Sequence, residues 1–119
     1  MAAAAGARTP EELENLLEDA FVLHDHHALA QLFQEGAMLV VGGGLPEARG
    51  HQQITKAATQ LWDLDRRYLA EPRRILQVRD TALVLADHAI NVVRRGDDGF
   101  WRYVISLLDL EKTTATTQR

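Results

Sequence analysis

The 119-residue chain contains no cysteine. Disulfides, thiolate metal sites and cysteine nucleophiles are therefore excluded together. No apolar run approaches the length of a bilayer span, so no membrane partner is expected. Positive charge is not in excess either. Thirteen Lys and Arg stand against seventeen Asp and Glu, the net charge is -4, and the basic residues are scattered. Nucleic acid, which needs a concentrated basic patch, is not expected as a partner. Gly42-Gly43-Gly44 lacks the Gly-Lys-Ser/Thr of a phosphate loop and reads as a turn that tolerates positive φ. The alanine-rich start, residues 1–8, has no charged leader followed by an apolar stretch. It reads as a frayed tail rather than a signal peptide, and a cytoplasmic location is the default expectation.

What is present suffices for one domain with its own core, residues 9–111. Apolar residues make up 46% and charged residues 25%, as in ordinary globular proteins. The chain is organised around residues 81–110, two β-rich runs, 81–95 and 100–110, joined by Gly96-Asp97-Asp98-Gly99. That pattern predicts a long hairpin. Both runs are apolar on odd and even positions, so both faces are expected to be covered.

Upstream, Thr9-Pro10-Glu11-Glu12 is a helix start, with a capping threonine, proline in the first helical position and a capping-box glutamate. Leu13, Leu16, Leu17, Ala20 and Phe21 follow at helical spacing, to about Leu23. Asp25 caps a second helix, expected over 25–34 and ended by Glu35-Gly36. Residues 38–41 predict a short strand, and 45–49 a ragged edge strand that tolerates Pro46. A third helix starts at Gly50, buries Ile54, Ala57, Ala58, Leu61 and Trp62, and fades near Arg67. Residues 68–72 are a linker, 74–78 a strand, and Arg79-Asp80 a tight turn. Residues 112–119 are polar and expected to be disordered. Helices in front and strands behind indicate α+β, and a curved sheet with helices on one face leaves a hollow suited to a small molecule.

Several segments carry a family resemblance. His24-Asp25 with the run 28–37, Arg49-Gly50-His51-Gln52-Gln53-Ile54, Asp80-Thr81-Ala82-Leu83-Val84, and the run 94–102 resemble, in order, segments of the nuclear transport factor 2-like superfamily. The chain looks most like its SnoaL-like and ketosteroid-isomerase-like branch. The resemblance implies a cystatin-like α+β barrel, a cone-shaped curved antiparallel sheet with three helices on its concave face, often a homodimer packed through its sheets, in a group of cyclases, isomerases, epoxide hydrolases and proteins without known activity. No cofactor or metal is implied. The isomerase base falls near Val41, where no carboxylate stands, and the first helix lacks the family's tyrosine. The second donor position falls on Asn91, whose amide can still donate to a carbonyl. The Arg-x-Asp of limonene-type epoxide hydrolases occurs only as Arg95 to Asp97, in a turn.

Asp87 is the remaining candidate. Alternation along one strand puts Asp87, Ala89 and Asn91 on a face with Leu83 and Leu85, joined by Val104, Ser106 and Leu108. A carboxylate in an apolar hollow has a raised pKa, and SnoaL-like cyclases use a pocket aspartate. The bland alternative pairs Asp87 with Arg74 or Arg102 at the rim. Leu17, Phe21, Trp62 and Tyr68 are candidate ligand contacts, or core. His88 is expected on the outer face with Trp101, Tyr103, Ile105 and Leu107, a row that fits a homodimer interface. His24, Asp25, His26 and His27 read as a solvated helix start rather than a metal site. Arg66, Arg67, Arg73 and Arg74 read as solvated, or as a grip on an anionic substrate. Two functions follow. One is a cofactor-free binder, isomerase or cyclase for an apolar, carbonyl-bearing ligand, with Asp87 moving a proton. The other is a non-catalytic dimerisation module with a filled hollow.

Overall fold

A computed structural model describes residues 6–42 and 47–109. The expectations for Gly43, Gly44, Leu45 and Pro46, and for tail residues 1–5 and 112–119, lie outside the described residues. Helix α1 spans Pro10–Leu23. The Thr9 hydroxyl accepts from the Glu12 backbone N–H, and the Glu12 carboxylate reaches back to the N–H of Arg8 at 2.6 Å. The threonine half of the capping box forms as its spacing predicts, and the glutamate's return bond falls one residue earlier, on Arg8 rather than Thr9. His24, in the left-handed region at φ 50°, ends the helix. Ala7 is not part of a frayed tail: it is buried, and its carbonyl accepts from the N–H of Trp101 at 2.8 Å.

Helix α2 is shorter than expected, His26–Gln31, capped by Asp25 on the Ala28 N–H. Strand β1, Phe33–Val41, takes up the difference. Gly36, at φ 80°, lies within a register shift between Phe33 and Met38 instead of stopping a helix. Only glycine adopts that conformation without strain, so the bulge needs it. Strand β2, Ala48–Arg49, pairs antiparallel with β1, and α3 follows over Gly50–Asp63.

The expected single strand 81–95 is two. Strands β3 (Pro72–Val78), β4 (Thr81–Ala86), β5 (Ala89–Arg95) and β6 (Trp101–Leu108) form an antiparallel meander, and Asp87-His88 is the two-residue turn between β4 and β5. The six-stranded sheet runs β2-β1-β6-β5-β4-β3 and does not close. One pairing, β1 with β6, is parallel. The fold is thus α+β with a curved open sheet, and the three helices lie against its inner face.

The inner face holds the core. Leu13, Leu17, Ala20 and Phe21 of α1 and Ile54, Ala58, Leu61 and Trp62 of α3 meet Leu39, Val84, Val93, Tyr103 and Leu108 of the sheet. One irregularity decides which residues belong there. Tyr103 pairs with Val93 and Ile105 with Val92, so Val104 is an extra residue in β6. An unpaired residue reverses the in–out alternation beyond it. Trp101 and Tyr103 before the bulge, and Ser106 and Leu108 after it, consequently all face inward and are buried. The expected outer row Trp101, Tyr103, Ile105, Leu107 is corrected to Ile105 and Leu107 alone.

Candidate functional site

Glu14, Leu17 and Phe21 stand at i, i+3 and i+7 on α1, so a carboxyl sits in the middle of the helix's apolar face. Glu14 is fully buried, and the sheet supplies its partners. Tyr103 donates its hydroxyl to Oε2 at 2.6 Å, and the Asn91 amide donates to the same oxygen at 3.1 Å. Tyr68, just beyond α3, donates its hydroxyl to Oε1. The Asn91 amide also donates to the Tyr68 oxygen at 3.2 Å, and Ser106 donates to Asn91 Oδ1 at 2.6 Å. Asn91 and Ser106 meet because they are register partners on β5 and β6. Five buried polar side chains from four segments therefore form one connected ladder through the core.

Burial raises the Glu14 pKa above its ordinary value, against the opposing pull of the hydrogen bonds from Tyr103, Tyr68 and Asn91. The same burial, with the neighbouring Glu14 charge, raises the Tyr68 and Tyr103 pKa values, so both phenols keep their protons. Such a group can hold and pass a proton among oxygen atoms without exposing a charge to water.

Glu14 and Tyr103 were missed as site residues at the level of sequence. The signal for Glu14 was present: a lone carboxylate in register with Leu17 and Phe21, where charge is costly unless paired. Tyr103 was hidden by the bulge. Of the residues singled out, Tyr68, Asn91 and Ser106 lie in the ladder, and Leu17 and Leu108 are buried in the core around it. Asp87 does not. It occupies the β4–β5 turn, where Arg73 grips it through Nε and Nη2, both at 2.9 Å. That guanidinium lowers the carboxyl's pKa, the reverse of the expected rise. The parity argument failed because the strand turns at the residue it was applied to. Leu85 pairs with Ile90 on the outer face, Val104 is the bulge, and His88 is exposed in the turn.

A cleft of about 340 Å³ opens between the ends of α1 and α3. Phe21, Trp62 and Tyr68 form its aromatic wall, with Val22 and Leu69 at its apolar edge. Tyr68 belongs to both cleft and ladder, and is the link between them. A wider, more open groove, which includes Phe33, His51 and Arg102, shares no residue with the ladder. Two of the helix-start histidines, His24 and His26, pack against the same Trp62 ring. The His24 ring stacks on Trp62 at 4.7 Å, His26 reaches Thr59 at 2.9 Å, and His27 meets Gln31 at 3.1 Å. Among the described residues no group of three or more His, Asp or Glu side chains could hold a metal ion.

The curved, unclosed six-stranded sheet with three helices is a cystatin-like α+β fold. Solved structures described as ketosteroid isomerase-like and NTF2-like share it. A ketosteroid isomerase-like protein from Erwinia carotovora superposes with a TM-score of 0.70 at 16% identity, over 84% of this chain and 92% of that one. An NTF2-like protein with a cystatin-like fold from Novosphingobium aromaticivorans gives 0.65 at 20%, over 88% and 81%. A cystatin-like protein of unknown function from Nostoc punctiforme gives 0.71 at 16%, over 86% and 88%. No family model and no curated relative matches the sequence. No helix among the described residues is long and apolar enough to cross a membrane.

Proposed function

We propose that the protein binds a small, apolar, oxygen-bearing molecule in the cleft walled by Phe21, Trp62 and Tyr68. The observation that carries this reading is Tyr68. One side chain lines an aromatic cleft and is hydrogen-bonded to a buried carboxyl. In this reading any acid/base chemistry on a bound carbonyl compound belongs to Tyr68, with Glu14 as its proton partner and Asn91 and Ser106 holding both in place. Asp87, ion-paired and exposed, takes no part. No cofactor enters the scheme. The likeness to a ketosteroid isomerase-like protein, at 16% identity, is one of fold, and the reading rests on the cleft and Tyr68.

The test fills the cleft. Val22 lines it and is 70% exposed, so Val22→Trp should occupy the space without disturbing the core. A panel of small aromatic and alicyclic ketones, followed by amide chemical shifts, should perturb residues 21, 62 and 68 in the native chain and none in the variant. Perturbations confined to other surfaces would overturn the reading.

A second reading rests on the outer sheet face. Register places Met38, Ile105, Val92, Leu83 and Leu76 in one cross-strand row and Val40, Leu107, Ile90 and Leu85 in the next. Ile90, Leu107 and Ile105 are 45%, 41% and 38% exposed. An apolar surface this continuous suits a second copy of the chain. We infer self-association through it, with either a ligand-bearing or a purely structural interior. Sedimentation should give a dimer at micromolar concentration and a monomer for Ile90→Lys/Ile105→Lys. A native monomer would refute it.

A further inference from the structure

The open sheet has two edges, and they are finished differently. One ends in β2, two residues long; the other ends in β3, seven residues long, which pairs only with β4. Among the described residues no strand covers the far side of β3, so alternate residues there turn backbone N–H and C=O groups away from the sheet. Devices that discourage pairing sit at its beginning. Pro72 has no N–H to give, and the register shift between Pro72 and Arg74 interrupts the strand at Arg73. From Ile75 to Val78 there is no proline, bulge or charge. Leu76 and Val78 share one face of this stretch and are 43% and 74% exposed. An arginine stands at each end of it. Arg73 is engaged by Asp87, and Asp80 by Arg95. Among the described residues Arg74 and Arg79 have no ion-pair partner, and both are exposed.

We propose that the β3 edge from Arg74 to Arg79 docks an extended peptide segment of another protein, added to the sheet as a further strand, with apolar residues in its middle and a carboxylate at each end. Backbone hydrogen bonds supply the attachment, and side chains select the partner. The incoming apolar residues cover Leu76 and Val78, and the carboxylates meet two guanidiniums that lack a countercharge. A second copy of β3 fits poorly. Antiparallel self-pairing centred on the uncharged stretch sets Ile75 against Val78 and Leu76 against Gln77. It thereby brings Arg74 opposite Arg79 at both ends, where like charges repel. The edge shares no residue with the cleft walled by Phe21, Trp62 and Tyr68, so neither reading depends on the other.

Three synthetic peptides with blocked termini test this, each titrated into the full chain labelled with nitrogen-15. The first is Ser-Glu-Val-Thr-Val-Thr-Glu-Ser, whose glutamates reach Arg79 and Arg74 while its valines lie opposite Val78 and Leu76. The second carries lysine for both glutamates. The third keeps the glutamates and replaces the central Thr-Val by Pro-Pro, which removes N–H groups on both sides of the strand. The acidic peptide should bind and shift amides within residues 74–79. The lysine peptide should bind roughly tenfold more weakly, two attractions having become two repulsions. The proline peptide should not bind. Arg74→Glu/Arg79→Glu, at two exposed positions without ion pairs, should reverse the preference between the first two. No binding of the acidic peptide, equal binding of the acidic and lysine peptides, or shifts confined to other surfaces overturns the proposal. Undiminished binding of the proline peptide overturns it too, leaving only unspecific charge attraction. Exchange protection of amides 75–78 that grows with protein concentration in the free chain assigns the edge to a second copy and equally overturns it.

Discussion

Two carboxylates, Glu14 and Asp87, sit in opposite surroundings and behave in opposite ways. Asp87 is exposed in a turn with a guanidinium on both oxygens, and its pKa falls. Glu14 is enclosed, receives only neutral donors, and its pKa rises. The contrast teaches that burial outweighs hydrogen bonding when no countercharge is present, and that pairing prevails when water already solvates the group. A carboxyl in the first situation suits proton transfer; one in the second fastens a turn.

The comparison breaks most severely if the inner face is lost altogether. Deleting Val104 removes the bulge and restores strict alternation along β6, so Trp101 and Tyr103 cannot share a face with Ser106 and Leu108. The deletion should abolish cooperative unfolding and disperse the amide spectrum poorly. Next in size is Glu14→Ala, which orphans donors from Tyr68, Tyr103 and Asn91. Urea denaturation should show a loss of roughly 3–5 kcal/mol, the cost of unpaired buried donors plus a cavity.

A subtler test compares pH dependence. Folded Glu14 keeps its proton to higher pH than the unfolded chain does. Between the ordinary glutamate value and the raised one, the folded state binds the extra proton, so stability falls as pH rises through that window and then levels. Glu14→Gln should flatten this slope. Asp98 acts in the opposite sense and elsewhere: Arg102 and the Phe100 N–H hold its pKa at about 2, below the ordinary 3.8. Its contribution is present above that ordinary value and disappears as pH falls toward 2. Smallest of all is Asp87→Asn, which should leave the urea midpoint unchanged within error, because exposed pairs contribute little.

Local chemistry was legible in the sequence. The Thr9 and Asp25 caps and the apolar face of α3 follow from side-chain types at fixed spacings, and the order of helices before strands follows from periodicity. What was not legible depended on pairing between distant strands. Asp87-His88 contains none of the glycine or asparagine that marks a tight hairpin, so two strands read as one. Val104 is an apolar residue among apolar residues, and a bulge there leaves no compositional trace. Both errors inverted side-chain parity, which is why the site assignment suffered more than the fold. Gly36 misled in the other direction, since a glycine in a β-bulge and one after a helix look alike in sequence.

The position of β6 in the sheet also governs how the molecule can assemble. It lies between β1 and β5, and among the described residues it is the strand that joins residues 33–41 to β5. Until this final strand inserts, the early helices with β1 and β2 form one fragment and β3 to β5 another, with no ladder between them. Closure therefore waits on pairing across some seventy residues of sequence, Phe33 to Tyr103. That separation makes for slow folding. On the ribosome, a nascent chain lacking its last strand would present the unpaired edge of β1 to the cell.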